Sequence, residues 1–493
     1  MKNKYFLVSG ILFFLLLNCS SPKEETYKKP NIIYIMSDDH AAHAISAYGG
    51  IYNPYFQTPN IDRIANEGIL FKNVFCTNSI CGPSRASILT GKYSHENGYY
   101  KNESGGKFNP NQWTFPQAMH DNGYQTAIVG KWHLGTEPVG FDYFKYHNNR
   151  GQQGFYYNPL YNENGNQVKE EGYATNLTTD AALQWLSEKR DSSKPFLLML
   201  QYKAPHRNWF PDKKYEKLFE QEELPYPSTF NDDYKGREKT AGDTDMTMDF
   251  FMRRDMKMTP PENLGGDEKN KWLMHGHKRG SGEGWLPNDS MTIEEARKWK
   301  YQIYIKDYLA CIKSVDDNIG RVLEYLDEVG MTENTIVVYT SDQGFYLGDH
   351  GFFDKRFMYE PSLRMPFMIR YPARIKEPKI NKDIITNIDF APTLLDFAEI
   401  DIPAEIQGES FTENIFNQTP ENWQQAMYYH YYEFPFWHHV QPHYGIRNQR
   451  YKLIHFYYNI DEWEFYDLEK DPNEMNNAIH DQQYTSIIDD MKL

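Results

Sequence analysis

Asn31-Ile32-Ile33-Tyr34-Ile35-Met36-Ser37-Asp38-Asp39-His40 is an apolar, β-forming run that stops at two adjacent carboxylates. Similar short runs lie at Gln125–Val129, Phe196–Leu200, Thr335–Thr340 and Phe367–Arg370. Helical patterns at Ile61–Glu67, Thr178–Lys189 and Tyr304–Gly330 fall between them. Strands alternating with helices predict an α/β fold, a large and mainly parallel sheet sandwiched by helices. Such sheets bind ligands beyond the carboxyl ends of their strands. Asp38 and Asp39 sit at one such end, Lys131 and His133 at a second, His206 at a third, and Asp342 and Gln343 at a fourth. Chemistry gathered at four separate strand ends predicts a single active site.

The chain has 493 residues, 40% hydrophobic and 24% charged, which is the composition of a folded globular protein. Its net charge of -16 excludes a nucleic-acid partner. It also means that an anionic substrate must be drawn in by a local cluster of cations. At the N-terminus, Lys2 and Lys4 precede an apolar run, Tyr5–Leu17, too short to span a bilayer. Leu16-Leu17-Asn18-Cys19 reads as a bacterial lipobox. Residues 1–18 are therefore expected to be a signal peptide, with Cys19 lipidated and 19–29 a polar tether. Plain signal cleavage is the alternative. The acidic stretch behind Cys19 resembles a surface-export signal, so the chain is expected to be exported, as a lipoprotein of the periplasm or the outer membrane surface. Cys76 and Cys311 are left after Cys19 and Cys81 are placed, which gives no disulfide framework.

Residues 30–400 read as the catalytic domain, with 207–300 a polar insertion. Residues 401–493 read as a smaller α+β subdomain, with antiparallel strands such as Tyr451–Phe456 and Glu464–Asp467. Its cluster Tyr428-Tyr429-His430-Tyr431-Tyr432-Glu433, with Trp437-His438-His439 and His443-Tyr444, either packs the subdomain against the core or lines a sugar pocket.

Adjacent Asp38 and Asp39 repel each other unless a cation joins them. Asp342 and Gln343 offer further oxygens. An all-oxygen set favours calcium, or magnesium after it, over zinc. Cys81-Gly82-Pro83-Ser84-Arg85 continues through Leu89-Thr90-Gly91-Lys92. It matches the signature in which a Cys, any residue, Pro, Ser and Arg mark a cysteine oxidised to formylglycine. The chain thus resembles the type I, formylglycine-dependent sulfatases of the alkaline phosphatase superfamily. Supporting blocks are Thr58-Pro59-Asn60-Ile61-Asp62, Gly130-Lys131-Trp132-His133-Leu134, Ala204-Pro205-His206, Ser341-Asp342-Gln343-Gly344 and Asp389-Phe390-Ala391-Pro392-Thr393. Within the family it is similar to bacterial carbohydrate sulfatases, including those acting on 6-sulfated N-acetylglucosamine and on algal polymers of the ulvan type.

The resemblance implies a role for each residue. Cys81, as formylglycine, hydrates to a geminal diol; one hydroxyl attacks sulfur and the second lets sulfate leave. One calcium ion would be held by Asp38, Asp39, residue 81, Asp342 and Gln343, the last a position where Asn or His also occurs. Arg85 would hold the diol. Lys131 and Lys355 would bind sulfate oxygens, His133 would act as base and His206 as acid. The implied partners are a sulfated carbohydrate, a formylglycine-generating or anaerobic sulfatase-maturing enzyme, and the outer membrane through the lipid anchor. A phosphatase or phosphodiesterase of the same superfamily, which uses Ser or Thr and two zinc ions, and a non-catalytic glycan-binding lipoprotein are the rival readings.

Overall fold

The computed structural model describes residues 1, 29–102, 107–149, 151–250, 255 and 291–492. The expected signal segment, Cys19 with most of the tether, and much of the expected insertion lie outside the described residues.

Ten strands form the large sheet. In chain order they are β1 (Asn31–Ser37), β2 (Ile69–Phe71), β3 (Gln125–Gly130), β4 (Tyr143–His147), β5 (Leu160–Glu163), β6 (Asn166–Lys169), β7 (Phe196–Tyr202), β8 (Thr335–Ser341), β9 (Phe367–Arg370) and β10 (Lys379–Asn381). Across the sheet the order is β10-β2-β9-β8-β1-β7-β3-β4-β5-β6. The central β8, β1, β7, β3 and β4 run parallel. β9 is antiparallel to both its neighbours, and β5 and β6 add an antiparallel edge.

Every residue of β1 is buried. Alternation divides it between two cores: Ile32, Tyr34 and Met36 pack on one face, Ile33 and Ile35 on the other. The second face is covered by α1 (Pro59–Asn66), α3 (Ala174–Gln184) and α4 (Ile293–Glu328). The first is covered by α2 (Cys81–Thr90) and α5 (Phe390–Phe397). Helix α4 begins at Ile293 rather than at Tyr304. A capping box starts it there, in which Thr292 accepts from the Glu295 amide and the Glu295 carboxylate accepts from the Thr292 amide.

A separate antiparallel sheet follows, in the order β11 (Ala426–Tyr431), β12 (His443–Asn448), β13 (Tyr451–Phe456) and β14 (Glu462–Asp467). Strand parity splits the aromatic cluster. Tyr429, Tyr431 and His443 are buried toward the large sheet, while Tyr428, His430 and Tyr444 face outward and are half-buried. Helix α6 (Thr485–Lys492) covers one end of that outer face, through Ile488 against Leu453 and Phe465. Buried charges tie the two units together: Lys452 Nζ bonds Glu474 at 2.6 Å and Glu360 at 3.0 Å, and Arg447 bonds Glu360 at 3.2 Å. Cys76, Cys81 and Cys311 are buried, and among the described residues they form no disulfide.

Candidate active site

Helix α2 is buried along all ten residues, and Cys81 is its first. A helix N-terminus presents unpaired amides and a positive dipole end, which favour an anion there. The residues after Cys81 each have a local task. Gly82 leaves room for its neighbours, since a Cβ there would lie 2.3 Å from Asn102 Oδ1 and 2.6 Å from the Tyr99 ring and these side chains would have to shift. Pro83 occupies the first turn, where its missing N–H costs nothing. The Ser84 hydroxyl donates to the Asp342 carbonyl and accepts from Asn387 Nδ2 at 2.8 Å. Arg85 donates from Nε to Asp342 Oδ2 at 3.0 Å and from Nη1 to the Lys131 carbonyl and Gln201 Oε1, at 2.9 and 2.6 Å. The signature thereby couples the helix to the ends of β8, β3 and β7.

The strand ends converge as well. Donor atoms of Asp38, Asp39 and Asp342 lie within 4.8 Å of one another, as do those of Asp38, Cys81 and His206. Lys131 pairs with Asp38, and Lys355 with Asp39. Of the neighbouring cations Lys355 and Arg356, Lys355 therefore faces the strand ends, and Arg356 turns to Asp354 Oδ1 at 2.6 Å. Asp39 and His133 hold left-handed backbone, φ 62° and 59°, which non-glycine residues adopt rarely.

Burial dominates the electrostatics. It pushes Asp38 up to about 8, with Asp342 adding repulsion, and raises Asp39 against the pull of Lys355. Asp342 is also buried, but Arg85 and Lys131 overcome that and hold it well below the usual carboxylate range. Burial raises the Cys81 thiol. It depresses His133, with Lys131, Arg85 and Lys355 acting the same way, and depresses His206 together with Lys131 and Lys203. Both imidazoles are neutral at rest. His206 Nδ1 lies 2.6 Å from the Arg207 carbonyl, so Nδ1 carries the proton and Nε2 faces Asp39 Oδ2 at 3.7 Å.

The residues fit a hard cation. Asp38 Oδ1 and Gln343 Oε1 are buried oxygens without a donor among the described residues, and Gln343 Nε2 bonds Asp39 Oδ1 at 2.6 Å. Asp38, Asp39 and Asp342, with the amide oxygen of Gln343 beside them, are an oxygen-rich donor set.

A second polar cluster lies beside Lys355, of which sequence reasoning had only His438, as a residue that either packs or lines a sugar pocket. Asp354 Oδ2 accepts from Arg207 Nη1 at 2.8 Å and lies 3.0 Å from His438 Nε2. Arg207 Nη2 also reaches Asp255 at 3.2 Å. Arg207 Nε and Arg356 Nε have no acceptor among the described residues. The sequence offers two signals for it, His438 within the aromatic cluster and the charge triplet Asp354-Lys355-Arg356. His350 lies apart from this centre, with Nδ1 2.9 Å from Asp232, as a buried structural pair.

Comparison with known proteins agrees with this arrangement. Residues 30–400 match the family described as sulfatase. This chain belongs to the sulfatase family. It is a sulfuric ester hydrolase with the alkaline phosphatase-like architecture. Residues 348–493 match the C-terminal region described for N-sulphoglucosamine sulphohydrolase. The sulfatase is 48% identical, over 98% of its own chain and 88% of the relative, to an N-acetylglucosamine-6-O-sulfatase of Bacteroides thetaiotaomicron. It is 28% identical to an arylsulfatase of Clostridium perfringens, over 94% of its chain and 92% of the relative. Among solved structures it is similar to a protein in complex with its substrate D-glucosamine-2-N,6-O-disulfate, at 45% identity and TM-score 0.86, over 94% of this chain and 96% of that one.

Proposed function

We propose that this sulfatase removes the 6-O-sulfate of a glucosamine-type sugar within a sulfated polysaccharide or its oligosaccharides. The observation that carries this reading is the buried cluster in which Cys81, at a helix N-terminus, meets three strand-end carboxylates and three cationic side chains. The sugar assignment is supported by what the similar proteins are named for. The polar cluster of Arg207, Asp354, Arg356 and His438 supports it too, because buried donors and an acceptor beside the sulfate position suit sugar hydroxyls.

Cys81 acts after oxidation to formylglycine by a maturing enzyme, and its hydrate supplies the attacking hydroxyl and a second hydroxyl for release. Asp38, Asp39, Asp342 and Gln343 would hold one calcium ion, which supplies Lewis acidity and orients sulfate oxygens. The chain's own charges direct the rest. Three carboxylates balance Arg85, Lys131 and Lys355, so a divalent cation leaves positive charge that a sulfate ester offsets. Lys131 and Lys355 bind the sulfate oxygens. Once that anion offsets the lysines, His206 Nε2 can carry the proton that the leaving sugar oxygen takes. Neutral His133, whose Nδ1 has no partner among the described residues, accepts the diol proton as sulfate departs and the aldehyde re-forms. Export as a lipidated protein, with residues 19–29 as tether ahead of the catalytic unit 30–400 and the subdomain 401–493, would place this activity where polymeric glycans are met.

The test is sulfate release by enzyme co-expressed with its maturase, on defined sulfated saccharides and on matched phosphate esters. Release from 6-sulfated N-acetylglucosamine, without phosphate release, is expected. No release from any sulfated saccharide would sink the carbohydrate assignment.

A further inference from the structure

Scattered exposed apolar side chains are ordinary on a soluble protein. Here four of them, Tyr100, Phe436, Trp437 and Tyr458, gather about the segment Tyr432–His438, at 42%, 41%, 42% and 78% exposure. Both ends of that segment touch the active site. At one end, buried Glu433 accepts from the Asn102 amide at 2.8 Å, and Asn102 Nδ2 lies 3.8 Å from Cys81 Sγ. At the other, His438 Nε2 lies 3.0 Å from Asp354 Oδ2, and the His438 carbonyl accepts from the Thr244 hydroxyl at 2.6 Å. His438 and His439 hold left-handed backbone, φ 67° and 53°, a cost that such anchoring must offset. Tyr100 meets Tyr432 at 5.4 Å between ring centroids, and Tyr458 meets Phe434 at 5.9 Å. Phe436 meets Trp437 at 5.7 Å. The aromatic groups thus lie on a segment pinned beside both the nucleophile and the polar cluster.

We propose that this aromatic rim stacks against the sugar units that adjoin the sulfated one in a glycan chain. The inference rests on the carbohydrate-sulfatase reading above. The apolar C–H faces of pyranose rings fit flat aromatic faces, while phenol and indole edges bond hydroxyls. Continuity with the site, through Glu433 to Asn102 and through His438 to Asp354, selects this occupant over a second copy of the chain. Aromatic rings also give up little conformational freedom on binding.

The experiment compares kcat/KM of the matured enzyme on one 6-sulfated sugar, supplied alone and as the sulfated unit of a tetrasaccharide. The expected wild-type ratio favours the tetrasaccharide by about tenfold or more. The double variant Phe436→Ala/Trp437→Ala is expected to lower kcat/KM on the tetrasaccharide about tenfold more than on the monosaccharide, with an unchanged melting temperature. A wild-type rate that does not rise with chain length, or a rise that survives in the double variant, would overturn the rim. So would a dimer in sedimentation that the double variant dissociates. Absence of sulfate release from both saccharides by wild-type enzyme is a separate result, which defeats the underlying reading and the rim with it.

Discussion

At the scale of single residues, chemistry and fold are separable at Cys81 and coupled through neighbouring side chains at Gly82. Cys81→Ala and Cys81→Ser remove the proposed precursor of the nucleophile but little volume. Both are expected to abolish sulfate release while leaving the melting temperature within about 3 °C of the parent; full activity in the alanine variant would refute the mechanism. Gly82→Ala adds a methyl group where Asn102 and Tyr99 already stand. It is expected to cost about 1–3 kcal/mol of stability by denaturant unfolding and to displace Asn102 from Cys81, lowering turnover. The signature was legible in the sequence because its residues are contiguous and each is chemically distinctive. Arg207, Asp354 and Arg356 were not, and His438 only as one of an ambiguous aromatic cluster, because what joins them is the meeting of three distant loops. Lys355 was legible only as a cation at a spacing, and the fold alone tells it from Arg356.

At the scale of elements, the central strands were readable because a strand covered on both faces must be apolar almost throughout, as β1 is. The start of α4 was obscured because its first turns lie in a polar stretch, where Thr292 and Glu295 are its only markers. The aromatic cluster looked ambiguous between packing and binding because strand parity sends neighbouring residues to opposite faces. The second sheet also carries a titration. Glu464, on β14, accepts from Tyr359 at 2.8 Å and from Tyr466 at 3.0 Å, and burial pushes it up to about 7. Its folded state therefore keeps a proton that the unfolded chain releases near 4.5. That contribution is fully present below pH 4.5 and is lost as pH rises toward 7, about 3 kcal/mol at 1.36 kcal/mol per unit. Glu464→Gln does not titrate. Its melting temperature relative to the parent is expected to climb between pH 5 and pH 8, and a constant difference across that range would contradict the linkage.

At the scale of the whole molecule, the cation proposed for the Asp38, Asp39 and Asp342 cluster should hold the ends of β1 and β8 together. Chelation is expected to lower both the melting temperature and the rate of sulfate release. Calcium restores both, with stabilisation of about 2.7 kcal/mol at a hundredfold excess over its dissociation constant; recovery with zinc alone would point to a different metal. The net charge of -16 says nothing of this centre, because its three carboxylates are balanced locally by Arg85, Lys131 and Lys355. The burial of α2 also fixes an order of events. Cys81 is 4% exposed on a helix buried along its whole length. The maturing enzyme proposed for Cys81 would therefore have to reach its thiol while the segment is still an unfolded strip of chain, before the core closes over it. On that proposal maturation and folding are competitors in time, and a molecule that folds first is locked out. Folded, unmodified protein mixed with maturase should stay inactive, while a peptide covering Thr77–Lys92 is oxidised readily; mass spectrometry of residue 81 reads both outcomes.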